Sequence, residues 1–212
     1  MEVPLFPLRL VLFPGRQLPL HLFEDRYLQM LSDLLEGDRR FGVIAIRDGN
    51  DVDPLPEVHR VGCLAEVQQV TRLPDGRADI VARGVQRFRL DHRHPPAPYQ
   101  RATIAPLEDA GDDPDPQRVA ALREVLRPYL TQLGAPEELA SQLPDSPDHL
   151  AWLAAAAAQV DISEQQALLE LDSTRERVDE TLALLRRETS LMRHFGSVGS
   201  LRPPNPDGAE LN

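Results

Sequence analysis

The residues in this 212-residue chain that stand out chemically are one cysteine, six histidines, and 34 carboxylates set against 23 basic side chains, all arginine. The missing lysine excludes whole reaction classes. A phosphate-cradling loop of the Walker type ends in a lysine that reaches the β- and γ-phosphates. Ser-Lys dyads and Schiff-base chemistry both need an amine that can lose its proton, which a guanidinium cannot supply. His92 and His94 have the spacing to face one way on a strand as metal ligands. A metal site needs three or four ligands with hydrogen-bonded supports. The Pro95-Pro96 pair that follows marks an exposed loop instead, and no metal is expected. Asp112, Asp113 and Asp115 lack the order and closing glutamate of a calcium loop. Ser197 has no preceding strand to hold it as a nucleophile elbow. Cys63 lies in an apolar strand-like run and reads as an inert buried thiol. Neither a cofactor nor a catalytic residue is expected.

Net charge is −11, a field that repels phosphate backbones. Arg83, Arg87, Arg89, Arg93 and Arg101 form the main basic concentration, and pairing with the many carboxylates is expected over an RNA track. A single cysteine forms no internal disulfide and fits a reducing compartment. No apolar stretch approaches the roughly 18 residues needed to span a bilayer, and the N-terminus lacks the positive flank of a signal peptide. The composition reads as cytoplasmic.

Period and punctuation divide the chain into a β-rich half and a helical half. Glu2–Arg9 and Leu10–Phe13, then a Pro14-Gly15 turn, then Gln17–Leu22 suggest strand, turn, strand; Pro4, Pro7 and Pro19 place these strands at an edge or at bulges. Phe23, Tyr27, Met30, Leu31, Leu34 and Leu35 recur at helical spacing up to Gly37. Phe41–Ile46 reads as a strand, followed by an acidic loop through Asp48, Asp51, Asp53 and Glu57. Alternation on both sides of Pro74-Asp75-Gly76 makes Gly62–Leu90 a β-hairpin, with a bulge at Gly84, and Tyr99–Pro106 adds a strand. Residues 1–107 form the β unit, and the acidic, proline-containing 108–116 reads as an interdomain linker. In the helical unit, 117–195, a stripe from Val119 to Leu133 is interrupted by Pro128, where the helix should kink or end. Ser146-Pro147 opens an alanine-rich helix through Val160, and Ser163 with Gln166, and Ser173 with Glu176, have capping-box spacing. Residues 196–212 have little to bury and read as disordered.

Several segments, in order, resemble the Lon substrate-binding domain family. They are Pro4-Leu5-Phe6-Pro7-Leu8, Phe13-Pro14-Gly15 and the run Leu18 to Tyr27, then Phe41-Gly42-Val43 and Val61 to Val67. Leu73 to Arg77, Gly84 to Leu90 and Leu169-Glu170-Leu171-Asp172 complete the series, which covers roughly residues 1–193. The resemblance implies an α+β fold: a PUA-like β-barrel or pseudobarrel with one inserted helix, followed by a C-terminal α-helical bundle. It also implies a stand-alone, non-enzymatic member without the family's ATPase and Ser-Lys peptidase modules.

The resulting expectation is a protein that binds exposed apolar or extended polypeptide, using a strand edge with apolar side chains beside it. Its partners would be unfolded or extended polypeptides and a separately encoded protease. The candidate contacts are Leu12, Phe13 and Pro14 at the first turn, with Leu20, Phe23, Glu24, Arg26 and Tyr27. Two groups among them have a structural alternative: Leu12, Phe13 and Pro14 as a tip tucked beneath the helical half, and Glu24, Arg26 and Tyr27 as ties between the helix start and the barrel. Val178, Leu182, Leu185 and Met192 form a seam that either packs inside the bundle or mediates weak self-association. RNA binding on a PUA-like barrel is the alternative function, disfavoured by the charge. No membrane contact is expected.

Overall fold

The computed structural model describes residues 1–48 and 56–195. Asp51 and Asp53 of the expected acidic loop, Ser197 and the tail 196–212 lie outside the described residues. In chain order the elements are Glu2–Leu8 (β1), Gln17–Leu22 (β2), Asp25–Glu36 (α1), Arg40–Asp48 (β3), Glu57–Val58 (β4), Val61–Arg72 (β5), Ala78–Arg93 (β6) and Arg101–Pro106 (β7). The helices Pro116–Gln132 (α2), Glu137–Ser141 (α3), Pro147–Ala157 (α4), Ile162–Glu170 (α5) and Thr174–Phe195 (α6) follow. Strand pairing runs β1–β7–β6–β5–β3 and returns to β1, while β4 pairs β3 and β2 pairs β6.

The expected hairpin is β5–β6, and its register shifts where Leu64 faces Gln86 but Ala65 faces Gly84. Gly84 is needed there for space. Its N–H donates to Arg16 O at 2.9 Å, its C=O accepts from Gly15 N at 2.8 Å, and a Cβ at this position would stand 2.3 Å from Phe13 O. The long β6 serves two neighbours in succession, with β2 along Ala78–Arg83 and β7 along Phe88–Arg93.

The prolines of β1 do not mark an edge, contrary to expectation: β1 pairs β7 through Glu2–Pro4 and β3 through Leu5–Leu8. Leu5 N–H donates to Gln100 O, so odd-numbered residues face the β7 side. Pro4 therefore faces β3 before that ladder begins, and Pro7 faces β7 after that ladder ends, and neither removes a bond. Nor do β1 and β2 form a hairpin; the loop between them dives under the helices.

α1 lays Tyr27, Met30, Leu31 and Leu34 on a core with Leu18, Leu22, Val67 and Ile80. Phe23, read from the sequence as part of that stripe, precedes the helix and is exposed. α2 runs through Pro128 and ends only at Gln132, because the proline sits within the last turn and a half. The short α3 carried no sequence signal of its own. α4 stops at Ala157, short of Val160, and α5 is capped by Asp161, whose carboxylate accepts from Glu164 N at 2.8 Å, rather than by Ser163. Ser146 caps α4, and Ser173 accepts from Glu176 N at the start of α6.

The two halves share a core and a buried charge cluster. Val11, Phe13 and Ala45 pack with Leu126, Trp152, Leu169 and Leu182. Residues 108–116 are no loose spacer: Ala110 N–H donates to Asp172 O at 2.8 Å, and Asp115 caps α2. Asp109 joins two buried guanidinia, bonding Arg87 Nη2 of β6 through one oxygen and Arg177 Nη1 of α6 at 2.7 Å through the other. Arg87 also donates to Leu169 O and Leu171 O, and Arg177 stacks 3.4 Å over the Trp152 ring and bonds Asp148 at 3.0 Å. Burial opposes ionised Asp109, but Arg177 and Arg87 outweigh it and hold the carboxyl below its ordinary range. Burial raises Asp148 despite Arg177, and it pulls Arg177 below the usual guanidinium range, where an arginine still stays charged.

Gly84→Ala should cost about 1–3 kcal/mol, because the Phe13 carbonyl must move; a lowered urea midpoint with unchanged slope checks it. Asp109→Asn should cost about 2–3 kcal/mol at pH 7, below the full cost of breaking a buried pair because Asp109 is partly exposed. A carboxyl depressed by folding contributes stability above its unfolded value and loses it as pH falls through the folded one. The midpoint gap between wild type and Asp109→Asn should therefore be full at pH 7 and shrink below about pH 4.

Candidate functional site

Geometry converges on residues 17–27. Gly84 N–H bonds Arg16 O, and the register pairs Leu18, Leu20 and Leu22 with Ala82, Ile80 and Ala78. The antiparallel pleat therefore turns the main-chain groups of these leucines toward β6 and those of Gln17, Pro19 and His21 outward. No strand lies on that side of β2 among the described residues. On the outer face, Pro19 opposes Val81 and His21 Nδ1 meets Asp79 Oδ1 at 2.6 Å, while Arg77 Nη1 lies 3.3 Å from His21 Nε2. Pro19, Leu20, His21, Thr71 and Val81 line a shallow concavity of about 330 Å³.

Beyond β2 the chain turns. Phe23 is 64% exposed, its ring centroid 6.1 Å from that of His21. Glu24 stands at the N-cap of α1 without capping it; its carboxylate accepts from Arg26 Nε at 2.9 Å. The Arg26 guanidinium lies 4.6 Å from the centroid of Tyr27, which stacks on Phe6 at 4.1 Å. Arg26 and Tyr27 then line a cleft of about 260 Å³ together with Pro7, Pro96, Pro98 and Tyr99. The Tyr99 hydroxyl donates to Asp33 at 2.6 Å, which fixes this loop to α1. Burial, then Asp33, raises the phenol; the phenol, then Gln29, holds Asp33 below its ordinary range.

Of the sequence candidates, Leu20, Phe23, Glu24, Arg26 and Tyr27 fall on this continuous segment. Leu12 and Phe13 do not: both are buried, and Phe13, 1% exposed, sits 5.9 Å from the Trp152 ring. Phe13 is thus tucked beneath the helical half, while Leu12 turns the other way into the β core with Leu18, Leu22 and Ile80, since burial on either side is better than exposure to solvent; Pro14 beside them is half-buried. Val178, Leu182 and Leu185 are fully buried within the bundle, and half-buried Met192 packs against the same core, so the seam is internal rather than a self-association face. In the sequence Pro19 signals only a strand edge, and the Pro96–Gln100 wall carries no functional signal.

The basic concentration disperses. Arg87 is buried with Asp109, Arg89 pairs Asp91, Arg101 pairs Glu2, and Arg93 donates to Pro56 O and Gln100. Arg83 stays exposed on β6, and nothing supports the RNA alternative. His94 bonds Thr103, and no group of three or more metal-ligating side chains is assembled among the described residues. Cys63 is buried, which pushes its thiol up to about 12. No described helix is long and apolar enough to cross a membrane.

Residues 2–187 match the ATP-dependent protease La (LON) substrate-binding domain. The chain belongs to this family. Lon protease 2 of Myxococcus xanthus is 28% identical over 93% of the chain and 25% of its own length. Lon protease of Xanthomonas oryzae pv. oryzae is 29% identical over 89% of the chain and 23% of its own length. The chain thus spans about a quarter of the curated relatives it matches. The crystal structure of a Lon N-terminal domain protein from Xanthomonas campestris superposes with a TM-score of 0.68 at 26% identity, covering 86% of this chain and 98% of that one. This Lon-type chain is mixed α and β, homologous to the non-catalytic substrate-binding region, and its 212 residues offer no lysine for a Ser-Lys dyad.

Phe13→Ala should cost about 3–5 kcal/mol, whereas Phe23→Ala should change stability by no more than about 0.5 kcal/mol. Chemical denaturation of both variants checks the assignment of one ring to the core and the other to the surface.

Proposed function

We propose that the protein binds extended or unfolded polypeptide without transforming it, through residues 17–27 on the β half. The exposed Phe23 carries this reading. A ring 64% exposed between an open strand side and a cleft, in a family named for substrate binding, has the properties of a contact residue. The strand circuit supports a PUA-like pseudobarrel as the frame, with residues 1–107 as the binding unit and 117–195 as its support. Glu24 and Arg26 neutralise each other beside Phe23, so an apolar ligand side chain meets little uncompensated charge there. A small patch must offset the ordering entropy of a flexible ligand, so affinity is weak. Presenting polypeptide to a protease is the role consistent with such a binder.

Titrating a fluorescent, reduced and alkylated protein with the full chain tests this. Saturable micromolar binding is expected, weakened about tenfold by Phe23→Asp at unchanged melting temperature. Absence of binding by the wild type overturns the proposal.

A further inference from the structure

An open strand side is an aggregation hazard, because it serves another copy of itself as well as any ligand. The outward-facing groups of β2 are the N–H and C=O of Gln17 and His21 and, between them, only the C=O of Pro19. We propose that Pro19 is a specificity-determining residue of this side, blocking its pairing with a second copy while leaving it open to strand addition by an extended polypeptide. The inference rests on the polypeptide-binding reading above.

Consider two copies of β2 pairing antiparallel about a two-fold axis at Pro19. Gln17 then opposes His21 at both ends and proline opposes proline at the centre, so both central N–H···O bonds are missing and two acceptors are left without donors. The same approach brings together two chains that each carry a net charge of −11. An extended polypeptide loses less. Its residue opposite Pro19 still donates its N–H to Pro19 O, and a single ligand carbonyl goes unmet. Charge favours a neutral or basic ligand, and the bonding pattern requires a residue other than proline opposite Pro19. Pro19 causes no loss within the fold, since its nitrogen faces away from the β6 ladder.

The test compares the wild-type chain with Pro19→Val and Gln17→Pro by sedimentation and by titration of the reduced and alkylated protein. Pro19→Val should self-associate at concentrations where the wild type sediments as one species. It should also bind the unfolded protein about threefold to tenfold more tightly, as one restored hydrogen bond gives. Gln17→Pro removes an outward donor while sparing the β6 ladder, so it should bind about threefold to tenfold more weakly and sediment like the wild type. Thermal melts confirm that both variants fold. A wild type that binds while Pro19→Val changes neither sedimentation nor affinity overturns this inference alone. A wild type that binds nothing overturns the underlying reading.

Discussion

Asp109 lies between two guanidinia that the fold has removed from water. Arg87 reaches it from the β half and Arg177 from the last helix, and without that carboxylate two like charges would face each other in a low-dielectric seam. Much else follows from this arrangement. The chain between the last strand and the first helix of the bundle must run where its carboxylate meets both cations. The end of α5 must present Leu169 O and Leu171 O to Arg87. The helical half is thereby held in one place against the β half, and Phe13 and Trp152 pack in the space so defined.

That rigidity bears on the binding surface only indirectly. Residues 9–16 leave β1, bury Leu12 and Phe13, and re-emerge at Gly15 and Arg16 against Gly84. The start of β2 is fixed by those contacts, and the register of β2 on β6 decides which residues turn outward. A one-residue slip would exchange the inward leucines for the outward Gln17, Pro19 and His21. The core beneath the helices thus fixes where β2 begins and, through its register, which side of the strand stays open.

The pattern of residues disclosed the hairpin, the inserted helix, the helical second half and the inert cysteine, because period and turn chemistry act locally. It did not disclose that Arg87 was buried: in sequence it is one of several arginines on an alternating strand, and its partners lie far along the chain in Asp109 and α5. Leu12 and Phe13 were ambiguous for the same reason, since an apolar turn reads alike whether the β core, a helix or solvent covers it. The seam at Val178, Leu182 and Leu185 had the spacing of a coiled coil, but only the placement of α2 and α4 shows that its partners come from the same chain. Leu20, Phe23 and the α1 start were legible as a group because they are contiguous, whereas the cleft lining at Pro96–Gln100 is assembled by the fold.

The chain has one tryptophan, Trp152, and its ring lies beneath the Arg177 guanidinium at the seam between the halves. Its ultraviolet emission therefore originates from the join and not from the β2 surface. The protein carries its own optical gauge of whether the two parts remain fastened, readable without any attached dye and undisturbed by changes made around Phe23.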